Sequence, residues 1–204
     1  MARIAQPAAL VREQLELGRL LLARGSYVRA RQHILKAIQI CPNDPQLNLV
    51  LGQSFFFQKS KKQLADAVRA FRRVVDLSPN WGEPYYWLGA AQQQQGHLRE
   101  AIASLEQAIS LAPADVRARI TLGVCLTKLK NYTTAVGHLR HAIALKPHYA
   151  EASARLFLAD ALRQSGQIDA ARKEWRLILG MPSEYPDYGG ARKKARQSLK
   201  KYGG

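Results

Sequence analysis

The stretch LGAAQQQQGHLREAIASLEQAISLAP, residues 88–113, carries a set of marks that recurs along the chain. A Leu-Gly pair, Leu88-Gly89, is followed by an alanine, a bulky apolar residue, a second alanine and a proline. These lie 12, 16, 19 and 24 residues after the glycine, and the same offsets recur after Gly18 and Gly123. Such self-similarity at a fixed interval indicates a repeat architecture.

Two further copies match with small changes. After Gly52, three extra residues precede Ala67, and we expect them in the turn around residues 59–62, where added length costs little. In the last copy Leu158-Ala159 replaces Leu-Gly, and Pro182 arrives one residue early. The sequence therefore contains five copies.

Each copy has the pattern of two helices. Apolar residues recur at intervals of three and four, as on one face of a helix. A glycine, such as Gly25, Gly96 or Gly166, then interrupts the pattern, and a proline ends the second helix. The small residues Gly89 and Ala101 indicate that the two helices of a pair cross closely.

This spacing resembles that of the tetratricopeptide repeat family over residues 8–183. The resemblance implies an all-α fold of about 11 helices: a right-handed superhelical solenoid of antiparallel helix pairs. The expected domain is a single solenoid over residues 1–183, with repeats at approximately residues 8–43, 44–80, 81–114, 115–149 and 150–183. The family's tryptophan three residues before the leucine is missing, and that position holds Gln14, Asn48, Tyr85, Arg119 and Arg155.

The last residues, 184–204, predict a linker and a basic capping helix that covers the end of the repeat stack. One narrow apolar stripe contains Ala191, Ala195, Leu199 and Tyr202, while the other side is basic and has no acid. The alternative is a basic arm that also contacts RNA, an acidic protein or an anionic lipid surface.

The resemblance also implies a concave groove lined by the first helix of each pair, which accepts an extended peptide or a helix. Counting from the Leu-Gly mark predicts these groove residues: Leu15, Arg19, Leu49, Gln53, Phe56, Phe57, Tyr86, Trp87, Ala90, Ile120, Val124, Phe157 and Asp160. The same count places Leu22 and Ala23 there. The apolar and aromatic middle section favours an apolar peptide or helix as the ligand; the alternative is that several of these aromatics pack between helices.

Some members of the family bind a C-terminal carboxylate through Lys, Asn and Arg side chains. The matching positions here include Leu15, Arg19, Val50, Glu83 and Trp87, so the sequence does not support that clamp.

The chain is strongly basic, with 31 Lys and Arg against 15 Asp and Glu, a formal net charge of +16 and a pI near 10.2. Such a charge attracts acidic proteins, nucleic acids or anionic membrane surfaces. The predicted basic patch contains Lys59, Lys61, Lys62, Arg69, Arg72, Arg73, Arg192, Lys193, Lys194, Arg196, Lys200 and Lys201. Aromatic residues are not interleaved with these clusters, as stacking on nucleic-acid bases requires.

No pattern for catalysis, a cofactor or a metal is present in the sequence. His138 and His141 lie three apart on one predicted helix without a nearby acid or cysteine, which favours a surface pair over a metal site. Cys41 and Cys125 are far apart and are expected to be small packing residues in a reducing compartment. Because no secretory signal or membrane span is recognisable, the predicted location is the cytoplasm.

These observations predict a non-enzymatic scaffold, adaptor or assembly factor that binds another protein and no small-molecule substrate. The first alternative is a module that binds RNA, the ribosome or an acidic partner through the basic convex face, formed mostly by the second helices, and the C-terminal helix. The second alternative is a scaffold that self-associates.

Overall fold

The structure is a computed structural model that describes residues 2–145, 150–182 and 190–202, with side chains from residue 7 onward. These residues form eleven α-helices and no strand, and they divide into two compact units, Met1–His97 and Leu98–Gly204. The first unit contains α1 (Ala2–Ala23), α2 (Tyr27–Ile40), α3 (Pro45–Phe56), α4 (Lys61–Leu77) and α5 (Gly82–Gln95). The second contains α6 (Leu98–Leu111), α7 (Val116–Lys128), α8 (Tyr132–Ala144), α9 (Glu151–Gln164), α10 (Ile168–Gly180) and α11 (Ala191–Tyr202).

Both units are built from antiparallel helix pairs, so the predicted all-α fold is confirmed. In the first unit α1 packs on α2, α3 packs on α4, and the first helices α1, α3 and α5 are successive neighbours. In the second unit α7 packs on α8, α9 packs on α10, and α7 also contacts α9. This layering puts the first helices of successive repeats side by side within each unit.

The Leu-Gly mark is the point of closest approach between the two helices of a pair. The bulky residue of the same repeat, 16 positions later or 19 in the lengthened second repeat, lies directly against the glycine. A methyl group built on the glycine would overlap it in three repeats, at Gly18–Ile34 (2.5 Å), Gly52–Phe71 (2.4 Å) and Gly123–Leu139 (2.5 Å). The close crossing expected from small residues at this mark is therefore present in these three repeats.

The turn inside every repeat has a residue with positive φ seven positions after the glycine mark. Glycine is expected there because it has no Cβ to clash in the left-handed region. Gly25, Gly96 and Gly166 have φ of 72°, 87° and 84°, whereas Lys59 and Lys130 adopt φ of 58° and 64° at the same place. The predicted breaks at the three glycines are confirmed, and the two lysines share their geometry.

The extra residues of the second repeat lie in a helix, which corrects the expectation that they lengthen the turn around residues 59–62. Helix α4 is 17 residues long, whereas the other second helices have 13 or 14. It begins nine residues after its glycine mark, as α2 does, but Ala67 comes one turn later. Ser60 caps the added turn by accepting a hydrogen bond from the Gln63 amide at 3.3 Å. Within the helix each added residue contributes one backbone hydrogen bond, which helps to offset the entropy lost in ordering it.

Polar side chains replace the missing tryptophan and join neighbouring segments. Asn48 Nδ2 donates to the Pro42 carbonyl at 3.0 Å, and Arg119 Nη2 donates to the Pro113 carbonyl at 2.8 Å. In both repeats the donor satisfies the carbonyl of a proline six residues earlier. Both side chains are buried, so these bonds matter more than surface contacts would.

Helix α11 packs on α10 and α9, as expected for a capping helix. Ala191 and Ala195 of the predicted stripe are fully buried, and the Tyr202 ring stacks on that of Trp175 with centroids 6.0 Å apart. The predicted linker at residues 183–189, together with Pro147 and His148, lies outside the described residues.

Candidate functional site

A cleft in the first unit coincides with part of the predicted groove. It has a volume of about 420 Å³ and is formed by α1, the start of α2, α3 and its C-terminal cap, and α5. We call it the aromatic cleft, and its lining residues are Arg19, Leu22, Ala23, Tyr27, Gln53, Phe57 and Trp87. Six of these seven lie at positions counted from the Leu-Gly mark.

Three aromatic rings form a continuous wall of the aromatic cleft. Tyr27 and Phe57 stack with centroids 5.6 Å apart, and Phe57 meets Trp87 edge to face at 5.7 Å. Such offset and edge arrangements are the ones that aromatic pairs prefer. Phe57 remains 36% exposed, so the wall presents apolar surface to solvent.

Trp87 is fixed in place by contacts on several sides. Its Nε1 donates to Glu83 Oε1 at 3.1 Å, and its ring stacks on the buried ring of Phe71 with centroids 6.1 Å apart. The Phe56 ring also meets it edge to face at 5.4 Å. Since few rotamers remain open to it, Trp87 can contact a ligand with little further loss of entropy.

The polar part of the aromatic cleft is held by Arg19. Its guanidinium donates to Glu16 Oε1 at 3.0 Å and to Gln46 Oε1 at 2.6 Å. The charge is therefore paired within the protein, and the ligand surface of this cleft is dominated by its aromatic wall.

The other predicted groove residues of the first unit support the aromatic cleft from beneath. Leu49, Phe56 and Ala90 are buried in the hydrophobic core, so they do not offer surface to a partner in this structure. Leu15 packs against a second core cluster, and Tyr86 is half-buried with its ring 5.1 Å from that of Trp87.

Tyr27 is the lining residue that the sequence count missed. It is the first residue of α2, a second helix, whereas the count considered first helices only. Its position directly after the turn at Gly25 is the signal that could have identified it, because that turn brings the start of α2 beside the end of α1.

The groove residues predicted in the second unit are divided. Ile120 is buried, and Val124 is half-buried on α7. Phe157 and Asp160 line a separate cleft together with residues of α11. The sequence placed α11 in a cap and did not connect it with groove residues.

The predicted basic patch consists of two exposed groups, one in each unit. In the first, Arg69 pairs with Asp66, and Arg73 donates to Asn43 Oδ1 at 2.8 Å. In the second, Arg192 donates to the Pro182 carbonyl at 2.6 Å. The remaining residues of the two groups are also solvent-facing: Lys59, Lys61, Lys62, Arg72, Lys193, Lys194, Arg196, Lys200 and Lys201.

The described residues contain no cluster of three or more His, Cys, Asp or Glu that could hold a metal ion. His138 is half-buried, and burial followed by the nearby Arg119 lowers its pKa. Cys125 is buried, and burial raises the pKa of its thiol to about 11, so it stays protonated and unreactive at neutral pH. In the part of the chain that is described, no helix combines the length and apolar character needed to cross a membrane.

Comparison with known proteins finds repeat families along the chain. The profile of anaphase-promoting complex, cyclosome, subunit 3 matches residues 60–142, and two tetratricopeptide repeat profiles match residues 11–54 and 126–195.

Two curated relatives are similar in sequence. Anaphase-promoting complex subunit CDC16 of Saccharomyces cerevisiae is 30% identical over 169 residues, which cover 78% of this chain and 19% of the relative. The peroxisomal targeting signal receptor of Kluyveromyces lactis is 28% identical over 120 residues, which cover 57% of this chain and 21% of the relative. The chain thus spans about a fifth of the length of these relatives.

A solved structure supports the same fold. The crystal structure of TTC0263, a thermophilic TPR protein of Thermus thermophilus, superposes with a TM-score of 0.71 at 21% identity. The match covers 93% of this chain and 98% of that protein. With its repeat marks, its layered helix pairs and these profile matches, the chain belongs to the tetratricopeptide repeat family.

Proposed function

We propose that this protein is a non-catalytic interaction scaffold that binds an apolar peptide or an amphipathic helix of another protein in the aromatic cleft. The observation that carries this proposal is the stacked wall of Tyr27, Phe57 and Trp87, which is partly exposed. Exposed aromatic side chains in a concave site are the usual energetic anchors of protein interfaces.

The dimensions and rigidity of the aromatic cleft suit one or two apolar side chains of a ligand. Its volume of about 420 Å³ is at the small end of binding pockets. The contacts of Trp87 with Glu83 and Phe71 restrict its motion before a ligand arrives. Binding then replaces water over the aromatic wall and requires little reordering of the protein.

The relatives support the general function. One is a subunit of the anaphase-promoting complex and the other is a receptor for a peroxisomal targeting signal. Both names describe proteins that have macromolecular partners. Since this chain spans about a fifth of each relative, we carry over the role of a scaffold or adaptor and not their particular partners.

A selection experiment tests the proposal. A displayed library of amphipathic helical peptides is selected on the full chain, and the affinities of the enriched peptides are measured for three variants. Phe57→Ala and Trp87→Ala should each weaken binding about tenfold, because each removes an aromatic anchor. Phe157→Ala is the matched control, since Phe157 is 37% exposed but lies in the other unit.

The selection can also overturn the proposal. If the enriched peptides bind Phe57→Ala as tightly as the unchanged chain, the aromatic cleft is not the binding site. Circular dichroism of each variant separates lost contacts from lost structure, and the exposed position of Phe57 makes Phe57→Ala the safer of the two variants.

A further inference from the structure

We propose that a second cleft, between α9, α10 and α11, binds an acidic peptide in which an apolar side chain lies beside carboxylates. We call it the basic cleft; it has a volume of about 640 Å³ and lies entirely in the second unit. The proposal does not depend on the function of the aromatic cleft, which belongs to the first unit.

The floor of the basic cleft is apolar and well fixed. Trp175 is only 2% exposed, and the Tyr202 ring stacks on it with centroids 6.0 Å apart. Arg172 donates a hydrogen bond to the Tyr202 carbonyl and so fastens the end of α11 to α10. Phe157, which is 37% exposed, adds apolar surface from α9.

The rim of the basic cleft carries unpaired positive charge. Lys194 and Lys201 both line it, and seven residues of helix place their backbones roughly 10 Å apart on one face. Lys201 Nζ lies 5.2 Å from the centroid of the Tyr202 ring. Neither lysine has a carboxylate partner among the described residues.

The acid of the basic cleft is already neutralised by the protein. Asp160 accepts hydrogen bonds from Arg163 at 2.6 Å and from Gln164 at 2.8 Å, so both of its oxygens are occupied. Arg163 and Asp160 therefore cancel, and the two lysines leave the cleft with an excess of positive charge. Carboxylates of a ligand would complement that excess.

A peptide fits these features better than a nucleic acid does. Two lysines roughly 10 Å apart match carboxylates separated by two to four residues of an extended chain, at about 3.3 Å per residue. An apolar side chain between them would contact Phe157 and Tyr202. Nucleic-acid bases need a free aromatic face on which to stack, whereas the Tyr202 ring is stacked on Trp175 and has Arg163 at 5.7 Å and Lys201 at 5.2 Å from its centroid.

The test measures binding of a fluorescein-labelled twelve-residue peptide, in which Leu and Phe are flanked by Asp and Glu, to the full chain by fluorescence anisotropy. The variant Lys194→Glu with Lys201→Glu should lose at least about tenfold in affinity, because two attractions become repulsions. The control is Lys193→Glu with Lys200→Glu, on exposed positions of the same helix that do not line the cleft. Each pair lowers the net charge from +16 to +12, so the control should change affinity less than threefold.

Further measurements identify the ligand chemistry. A peptide with Asn and Gln in place of its acids should bind at least about tenfold more weakly. Phe157→Ala should lower the affinity for the acidic peptide, whereas Phe57→Ala should leave that affinity unchanged. Circular dichroism monitors the folding of each variant. If α11 unfolds in the variant with Lys194→Glu and Lys201→Glu, the milder pair Lys194→Gln with Lys201→Gln is used instead.

Three results would overturn the proposal: no binding of the acidic peptide, equal losses in the two charge-reversed pairs, or tighter cleft-dependent binding of an oligothymidine or of phosphatidylserine vesicles. A loss in Phe57→Ala with none in Phe157→Ala would assign the acidic peptide to the aromatic cleft instead. A peptide held in the aromatic cleft loses affinity in Phe57→Ala, and a peptide held in the basic cleft loses affinity in Phe157→Ala, so failure of one proposal is distinguishable from failure of the other.

Discussion

The aromatic cleft and the basic cleft each contain a phenylalanine, and the two side chains have nearly the same solvent exposure in different chemical surroundings. Phe57 is 36% exposed and Phe157 is 37% exposed, and both lie at positions counted from the repeat marks. Around Phe57 the neighbours are the rings of Tyr27 and Trp87. Around Phe157 the cleft is completed by lysines of α11.

The difference shows which part of the repeat carries specificity. In each unit a first helix or its C-cap supplies a partly exposed phenylalanine, but at different positions: Phe57 lies five residues after the mark of its repeat and Phe157 lies two residues before it. The features that distinguish the two surroundings include residues outside the counted positions: Tyr27 at the start of a second helix, and Lys194 and Lys201 of the capping helix. A repeat scaffold can thus change its ligand class without changing its repeat marks.

The largest expected effect comes from the glycine mark. Gly52→Ala would place a methyl carbon 2.4 Å from Phe71 Cε1, and Phe71 supports Trp87. Overpacking costs about 1–3 kcal/mol, which outweighs the gain of about 1 kcal/mol from replacing a helical glycine. We expect the free energy of unfolding in urea to fall by up to about 2 kcal/mol, and aromatic-cleft binding to weaken with it.

The fifth repeat provides the contrasting variant. It already has an alanine at that mark, Ala159, and the residue 16 positions later is the buried Trp175. Ala159→Gly should cost about 1 kcal/mol, mainly through helix propensity, with little change at the aromatic cleft. If Gly52→Ala instead raised the stability of the chain, the close approach at Phe71 would not be a constraint.

Salt should separate the two clefts by a somewhat smaller effect. Two exposed lysine–carboxylate pairs contribute up to about 1 kcal/mol each, and salt screens them. Between roughly 50 and 500 mM NaCl, the affinity of the basic cleft for the acidic peptide should fall about tenfold. The affinity of the aromatic cleft for its selected peptides should change less than about twofold, because its one arginine is paired internally. Parallel salt titrations by anisotropy measure both, and equal slopes would contradict the assignment of different chemistries.

The helix pairs could be predicted from the sequence because their causes are local. The glycine marks are required by contacts such as Gly123 with Leu139, and each contact fixes the spacing of its repeat. The turn at Gly96 needs a positive φ, which glycine signals directly. These constraints act within one repeat, so a single sequence displays them.

The clefts could be predicted only in part, because they depend on contacts between segments. Positions counted from the repeat marks predict both Phe56 and Trp87 in the groove. In the structure Phe56 is buried in the hydrophobic core, and Trp87 is half-buried. The apolar stripe of α11 predicts a capping helix. It does not predict that the lysines of α11 lie beside Phe157 of α9, because that placement depends on tertiary packing. The sequence wrongly predicts the three extra residues in the loop before α4, because the offsets show how many residues are added and not whether they are helical.

The smallest expected effect tests whether the two units share one scaffold despite their different clefts. Lys59 and Lys130 adopt positive φ, which costs a residue with a Cβ roughly 1 kcal/mol relative to glycine. Their backbone amides donate to Phe56 and Thr127 carbonyls, and glycine retains both bonds. Relief of this strain favours glycine, and the larger conformational entropy of glycine in the unfolded chain opposes it. The net effect expected for Lys59→Gly and for Lys130→Gly is a rise in the free energy of unfolding of about 0.5–1 kcal/mol at most.

Lys128→Gly is the matched control for the second unit, because it removes the same charge from a residue in the last turn of α7. There glycine should lower the free energy of unfolding by up to about 1 kcal/mol, since a helical φ gives it no advantage. Opposite signs at residues two positions apart would identify backbone geometry, and not charge, as the cause. Neither turn lysine lines a cleft, so ligand affinities should stay unchanged while stability rises in both units. A gain in one unit alone would mean that the shared turn geometry does not constrain the repeats equally, and the contrast between the clefts would then extend into the scaffold itself.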